Sequence, residues 1–455
     1  MGGSRPGSPP GWEALPQRPP RQRRRRTSTE TEPARVGGCP PRGAGDEAEV
    51  GPGAKPQFPP PPGLGSAAAA SSSPNVLEID GAQLEGGGQI LRNTAALAAV
   101  TGRSVRVRRI RQGRSRPGLR PQHACGLQLV RALCGGELQG CEVGSSEMRL
   151  VPGVRGVPAG GSFEADTRTA GSCTLMLQAA LPCLLLAAPL PGLAPLTSVI
   201  LRGGTNNPQA PPVDYLRYVL LPVLSYHCGA IARVELRRRG FYPKGGGEVY
   251  VEAHPVGEEG LRPLALSNPG AVESVELWAW HAGAVTAEVA GKMVEAARGH
   301  VRAALGAEVE ITVPPVERVP GPRKRTGDGA GLLVRAATVS GGILGGTALM
   351  ERGSKTDPAE LGDRAAGQVT GALAVGAAVD EYMQDQLIIY MALARGTSRV
   401  AMGEPTLHTR TAIAVMEQVL GDQVRFHIAP PPNGASGPYI VSCKGAGLAA
   451  AGPQA

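Results

Sequence analysis

The sequence predicts an α/β protein preceded by a long segment that cannot build a core. Two patterns carry the α/β prediction. From Val76 onward, short strand-like stretches alternate with helical ones. A glycine-rich junction stands near each restart of that alternation, at Gly86-Gly-Gly88, Gly203-Gly204 and Gly245-Gly-Gly247, which hints at a repeated βα unit. Residues 1–74 have a different texture: sixteen prolines, scattered Gly and Ser, an alanine run and almost no apolar periodicity. Such a segment cannot offset the entropy of ordering and reads as a disordered tail.

Taken in order, Val76-Leu-Glu-Ile-Asp80 reads as a strand. Ile90 to Thr101 reads as a helix, with Leu91, Ala95 and Ala98 on one stripe. Ser104 to Ile110 alternates Val105 and Val107 with Arg106 and Arg108, a half-buried strand with a basic outer face. Gln122 to Leu133 is helical again. Residues 256–270 and 318–332 are rich in Pro, Gly and charge, as expected of loops bordering an inserted unit. A helix opens at Asp380 and runs to about Ala394, and Ala412 to Leu420 forms an amphipathic one.

Composition narrows the function classes. The net charge of +9 suits a polyanionic partner without naming it. The eight cysteines include no C-x-x-C pair, and most lie in apolar contexts; they read as reduced, buried thiols of an intracellular protein. The longest apolar run, Leu175 to Leu190, is broken by Gln178, Pro182 and Pro189, so it reads as a core helix and no membrane association is expected. Arg21-Gln-Arg-Arg-Arg-Arg26 is a nuclear address, a loose RNA contact or simply a solvated basic tail.

Four segments suit chemistry. Glu85-Gly-Gly-Gly-Gln89 before a helix lets backbone N–H groups approach an anion, although a plain βα turn has the same look. Eight arginines and no acid lie between Arg103 and Arg120, followed by Pro121-Gln122-His123 at a helix start. Arginine forks suit phosphate. In Asp380-Glu-Tyr-Met-Gln-Asp-Gln386, residues Tyr382, Asp385 and Gln386 share a helix face. Such a face serves either as ordinary polar surface or as a site that stacks on a base and hydrogen-bonds it. Finally, Gly403-Glu-Pro-Thr-Leu-His408-Thr-Arg-Thr places an imidazole at a helix start among three threonines that can cap it. The sequence has no G-x-x-x-x-G-K-[ST], so any use of ATP lies outside the P-loop plan.

Together these segments resemble the RNA 3′-terminal phosphate cyclases. The resemblance rests on Glu85 to Arg92, Gly113 to His123, Thr169-Ala-Gly-Ser172, Gly203-Gly-Thr-Asn206, Phe241-Tyr-Pro-Lys-Gly-Gly-Gly247, Glu381 to Gln386 and Thr406-Leu-His408, in that order. It runs from about Val76 to Cys443. It implies repeated βαβαββ units like the C-terminal domain of translation initiation factor three, related to enolpyruvyl transferases. A core at 75–271 and 376–445 would enclose an inserted α/β domain at 272–375, with a flexible end at 446–455. The stretch Ala187 to Val199 is longer than that family leads one to expect.

The resemblance further implies ATP-dependent conversion of an RNA 3′-phosphate into a 2′,3′-cyclic phosphate through AMP bound covalently to His408. Gln178, Pro211, Tyr382, Asp385 and Gln386 match positions lining the ATP site. Arg111, Arg114, Gln122 and His123 are assigned to the RNA end, and Glu85 to a divalent cation, Mg²⁺ or Mn²⁺. Work in RNA processing or repair and residence in the nucleus, with the cytoplasm as the alternative, go with this reading. The rival is a non-catalytic relative of the same fold that acts as a binding factor in ribosome assembly; such relatives lack the histidine.

Overall fold

The computed structural model describes residues 34–36, 76–153, 157–189, 194–320, 326–351, 353–432 and 435–449. Of the expected N-terminal tail, only the backbone of Ala34–Val36 lies within that set; the Arg21 to Arg26 run and Cys39 lie outside it.

The chain is a mixed α/β protein built on four main sheets. The first contains β1 (Leu77–Asp80), β2 (Val105–Arg108), β3 (Glu137–Gln139) and β4 (Met148–Val151), with α1 (Gly88–Thr101) after β1 and α2 (Pro121–Cys134) after β2. Its spatial order is β1-β2-β4-β3, with β1 and β2 parallel and the other neighbours antiparallel. The second sheet follows the same plan: β5 (Gly161–Asp166), α3 (Cys173–Leu185), β6 (Thr197–Gly203), a helical segment of α and π turns over 213–228, here α4, then β7 (Ile231–Arg238) and β8 (Gly247–His254). Its order is β5-β6-β8-β7, and Ala34–Val36 adds in parallel beside β5.

A two-residue strand, β9 (Ala265–Leu266), begins a third sheet that the chain completes only after a long excursion. That excursion comprises β10 (Val272–Ala282), α5 (Ala287–Leu305), β11 (Glu310–Thr312), β12 (Gly329–Thr338), β13 (Ile343–Glu351) and α6 (Pro358–Ala374). Its strands form a sheet ordered β11-β10-β12-β13. Val275, Leu277, Met293, Val301, Leu332 and Val369 belong to a cluster of buried side chains separate from the main core. The chain then supplies α7 (Glu381–Leu393), β14 (Arg395–Met402), α8 (Leu407–Leu420), β15 (Arg425–Ala429) and β16 (Tyr439–Ala446). The third sheet reads β9-β14-β16-β15, again with one parallel pair and two antiparallel pairs.

Burial explains the element types. β6 alternates buried and half-buried residues along its whole length, as a strand with one packed face does. α3 carries eleven buried residues among thirteen and packs into the core nearly all round. This is the apolar run expected to be a core helix, and among the described residues no helix is long and apolar enough to cross a membrane. α1 ends at Gly102, whose φ of 69° is the left-handed stop that glycine takes without strain. Six of the seven described cysteines are buried.

One buried cation ties the excursion to the second sheet. The Arg239 guanidinium bonds Asp214 at 2.6 and 2.8 Å, reaches Glu317 at 2.7 Å, and lies 4.4 Å from the Trp280 ring centre. Each donor has a partner, which a charge removed from water requires.

Candidate active site

Three helix beginnings converge on one cleft, and each is shaped by short-range chemistry. Between β1 and α1 the chain turns through Leu84 (φ 48°) and Gly86 (φ 58°). The Glu85 N–H donates to Thr411 Oγ1 of α8 at 3.2 Å. The Glu85 carboxylate folds over Gly87, where a Cβ would collide with both carboxylate oxygens, and a Cβ at Gly88 would collide with His123 Nε2. No side chain caps α1 at Gly87, so the first amides of the helix are left for a ligand. The glycines therefore admit the two side chains that border the cleft.

α8 begins one residue before His408. Thr406 is its N-cap, accepting the Thr409 N–H at 3.1 Å. Thr409 donates to Gln384 Oε1 at 3.1 Å, locking α8 onto α7. His408 is half exposed at this helix end. Its Nδ1 lies 3.2 Å from Gln89 Oε1, and Gln89 Nε2 donates to Asp385 Oδ2 at 2.6 Å.

This chain of contacts assigns the protons. A carboxylate only accepts, so Asp385 fixes the Gln89 amide with its nitrogen towards Asp385 and its oxygen towards His408. An amide oxygen also only accepts; His408 Nδ1 therefore carries the proton. The Nε2 lone pair is left free, and a neutral imidazole with a free lone pair is a nucleophile. Glu85 Oε2, 4.0 Å from Nδ1, favours the same tautomer.

Burial sets the charges behind the imidazole. It raises the Asp385 carboxyl to about 6, with His408 and then Arg92 working against the rise. Burial lowers the Arg92 guanidinium to about 10, opposed by Asp385, so it is still a cation at neutral pH. His123 is pushed down to about 3, by burial first and then by Arg92, Arg111 and Arg120. It is thus a neutral ring. Its Nδ1 accepts the Arg120 N–H at 3.2 Å, which leaves Nε2–H as a donor beside Gly88.

The residues matched to the ATP site fall mostly in one group. Gln178 Nε2 donates to Gln386 Oε1 at 2.9 Å, and Gln386 Nε2 donates to the Tyr382 carbonyl at 2.6 Å. Gln89, Arg92, Asn93, Gln178, Asp385 and Gln386 line a common cleft. Tyr382 meets Tyr215 edge to face at 6.0 Å. The Tyr215 hydroxyl donates to Asp380, the N-cap of α7, at 2.7 Å, and the Gly345 N–H donates to the same carboxylate at 2.7 Å. Pro211 is half-buried two residues before α4 and stands outside this hydrogen-bonded group.

The arginine-rich segment is more self-contained than its composition suggested. Arg106 and Arg108 pair with Glu78 and Glu147, and Arg109 pairs with Asp80. Arg111, at φ 52°, donates to the carbonyls of Arg116 and Gly118 at 2.7 and 3.0 Å and staples its own loop. Arg114 pairs with the Glu85 carboxylate and donates to the Glu85 carbonyl at 2.9 Å. Gln122, second residue of α2, is half-buried at the cleft edge.

Two buried polar atoms in the site have no protein partner, Glu85 Oε2 and Asn93 Nδ2. A buried orphan is costly, so these atoms mark places for ligand atoms. Among the described residues no three His, Cys, Asp or Glu side chains cluster as a metal site. Glu85 supplies one oxygen of the kind a hard cation takes, and such a cation draws its other ligands from phosphates and water.

Comparison with known proteins decides the family. The family model for RNA 3′-terminal phosphate cyclase matches residues 83–427. The chain belongs to the RNA 3′-terminal phosphate cyclase family. It is 39% identical over 372 residues to the RNA 3′-terminal phosphate cyclase of Drosophila melanogaster, covering 82% of this chain and 97% of the fly protein. It is 40% identical over 346 residues to the protein of that name from Desulfurococcus amylolyticus, with 75% and 91% covered. The relative from Nitrosospira multiformis is 39% identical over 356 residues, with 77% and 93% covered.

The cyclase match includes every site residue described above, from Glu85 to His408. Among them, Gln89, Arg92, Asn93 and Gln384 were not singled out in the sequence. The first two stand three apart in Gln89-Ile-Leu-Arg92, a spacing that puts them on one helix face. That spacing was the available signal.

Proposed function

We propose that this member of the family uses ATP to convert an RNA 3′-phosphate into a 2′,3′-cyclic phosphate through AMP carried on His408. The observation that carries the reading is the Asp385–Gln89–His408 relay, which leaves a free Nε2 lone pair at an exposed helix start.

The chemistry follows from the leaving-group problem. A phosphate monoester does not readily expel oxide, so its phosphorus must first gain a better leaving group. His408 Nε2 attacks the α-phosphorus of ATP; the N–P bond forms, the bond to the bridging β-phosphate oxygen breaks, and pyrophosphate departs. An oxygen of the RNA 3′-phosphate next attacks the histidine-bound phosphorus. The N–P bond breaks, and RNA carries an adenylate anhydride. The adjacent 2′-hydroxyl then attacks the RNA phosphorus, AMP leaves, and the hydroxyl proton is released.

Asn93 Nδ2, Gln178 and Gln386 are the polar groups offered to the nucleotide, with Tyr382 beside them. Arg92 and the uncapped amides of α1 face phosphate charge. A divalent cation would be held by Glu85 with phosphate oxygens and would neutralise the triphosphate. His123 donates from Nε2 to the RNA end, as does Gln122. Arg114 acts through Glu85.

The three shared strand orders support a core of βαβαββ units like the C-terminal domain of translation initiation factor three. The last is interrupted by a domain at 272–375 with its own buried cluster. A purely binding factor in ribosome assembly would need none of the relay around His408. Nuclear residence through Arg21 to Arg26 belongs to the same reading.

The test is to incubate the protein with ATP, Mg²⁺ and an end-labelled RNA bearing a 3′-phosphate. The expected product has a terminal phosphate that resists phosphomonoesterase, because it has become a diester. A terminal phosphate that stays phosphatase-sensitive under all conditions overturns the proposal.

A further inference from the structure

The glycine-rich junctions of the second sheet have no part in the chemistry above, yet they build one continuous ridge that starts at the cleft. Gly171 packs so closely that a Cβ there would lie 3.3 Å from Gln122 Cβ and 2.9 Å from Thr167. The neighbouring Ala170 carbonyl accepts from Asn207 Nδ2. A Cβ at Gly245 would meet the Thr169 carbonyl oxygen at 2.5 Å and Ala170 Cα at 2.8 Å. Bridges from Ser172 to Gly204 and from Asn206 to Phe241 close the stack. Loops 167–172, 204–207 and 240–246 therefore pack as one surface, with Gln122 at its inner end.

Three exposed side chains crown this ridge: Arg168, Tyr242 and Lys244. Tyr242 is 55% exposed, in a protein with few aromatics and most of those packed. Arg168 sits at φ 51°, its N–H held by Asp166 Oδ1 at 2.7 Å, so its backbone is pinned while its guanidinium faces solvent. Among the described residues neither Arg168 nor Lys244 forms an ion pair. The contrast is local: Arg202 and Arg237, on the adjoining strands, are paired with Glu164, Glu248 and Glu235.

We infer that this ridge is a track for the single-stranded RNA upstream of the reacting 3′ end, with Tyr242 stacking on a base and Arg168 and Lys244 contacting phosphodiesters. Unpaired cations beside an exposed aromatic ring are what sequence-tolerant binding of a single strand requires. More than half of the Tyr242 surface is open to water, so the ring is available to a base. Continuity with Gln122 gives the track a direction, outward from the terminal phosphate. The inference rests on the proposed function above, since it needs an RNA 3′ end in the cleft.

The experiment compares two 3′-phosphate RNAs, a dinucleotide and an oligomer of about twelve nucleotides, using the full chain. The variants are Tyr242→Ala and the double Arg168→Ala/Lys244→Ala. All three residues are exposed, so the fold should be kept, and protein labelling by ATP without RNA serves as the control. Wild type should bind and turn over the longer RNA better than the dinucleotide. Each variant should lose roughly tenfold on the longer RNA and nothing on the dinucleotide. The double variant should also reduce the slope of log K against log salt by about 1.4, or about 0.7 per cation. Unchanged affinity for the longer RNA, or equal loss on both RNAs, overturns the track. If wild type converts neither RNA, the functional reading itself fails; if it converts both and the variants match it, only the track does.

Discussion

His408 Nδ1 and Gln89 Oε1 stand 3.2 Å apart, although 319 positions separate the residues in the chain. That one contact decides which ring nitrogen keeps its lone pair. It makes Gln89 a positioning residue: it orients the ring and holds its proton.

Gln89→Ala should therefore slow transfer of AMP to the protein by about tenfold to a hundredfold, the range of one lost hydrogen bond to a charged partner. The variant should also lose about 1–3 kcal/mol of stability, because Gln89 is buried and its removal leaves the Asp385 carboxylate without that donor, so labelling is compared under conditions where both proteins are folded. Gln89→Glu should be worse than Gln89→Ala, as it sets a second carboxylate against Asp385. Single-turnover labelling with α-labelled ATP measures both. Labelling at the wild-type rate in Gln89→Ala would remove the tautomer argument.

The Asp385 carboxyl, raised to about 6 by burial, gives labelling a pH dependence with a definite sign. Above that value the carboxylate accepts from Gln89. Below it the group becomes a donor, the amide loses its fixed orientation, and His408 loses its held tautomer. Labelling should fall by up to about tenfold per pH unit below 6. Asp385→Asn keeps an acceptor for Gln89 and should show a shallower profile. A wild-type rate that stays flat down to pH 5 would contradict this.

His123 should make the fold acid-sensitive. Its folded value of about 3 lies well below an ordinary histidine, so the unfolded chain binds the proton first. A depressed histidine is neutral in both states above about pH 6.5, and its cost grows as pH falls from there. Below that point it should cost about 1.4 kcal/mol per pH unit until the folded ring also protonates. His123→Gln retains an acceptor for the Arg120 N–H and removes this term. Urea unfolding of both proteins at pH 7 and pH 5 should show the difference narrowing or reversing in favour of the variant at pH 5. A constant difference would show that the ring is solvated.

Asp380 joins α7, α4 and the excursion sheet by accepting from Met383 N–H, Tyr215 and Gly345 N–H at once. Asp380→Asn turns one acceptor into a donor that faces an N–H, leaving buried groups unsatisfied at about 1–3 kcal/mol each. Tyr215→Phe removes one donor only and should cost about 1 kcal/mol. Denaturant unfolding should rank the proteins wild type, Tyr215→Phe, Asp380→Asn. Because Asp380 caps the helix that carries Asp385, labelling should weaken in the same order. Asp380→Asn as stable as wild type would contradict the account.

Much of this was legible in the sequence where the signal is local. The first two helices, the basic strand Val105–Arg108 and the helix starts at Asp380 and His408 all stood within a residue or two of their expected places. Caps and periodicity act over a few residues, and the chain displays them openly. The relay was not legible, since Gln89, Asp385 and His408 meet only through tertiary packing. The strand Ala265–Leu266 is too short for any period, yet it is the first strand of the third sheet. The arginine segment misled in a specific way. Charge counting cannot see that Glu78, Asp80, Glu85 and Glu147, supplied from elsewhere, take up four of its side chains.

The most direct test of the central claim is covalent labelling of the protein by α-labelled ATP and Mg²⁺ in the absence of RNA. Wild type should carry AMP in an acid-labile, alkali-stable bond, as a phosphoramidate does, and the label should map to the peptide containing His408. His408→Ala and His408→Asn should carry none while keeping the wild-type unfolding transition. Label that persists in either variant, or a folded wild-type protein that takes up none, would contradict the assignment of His408 as the nucleophile.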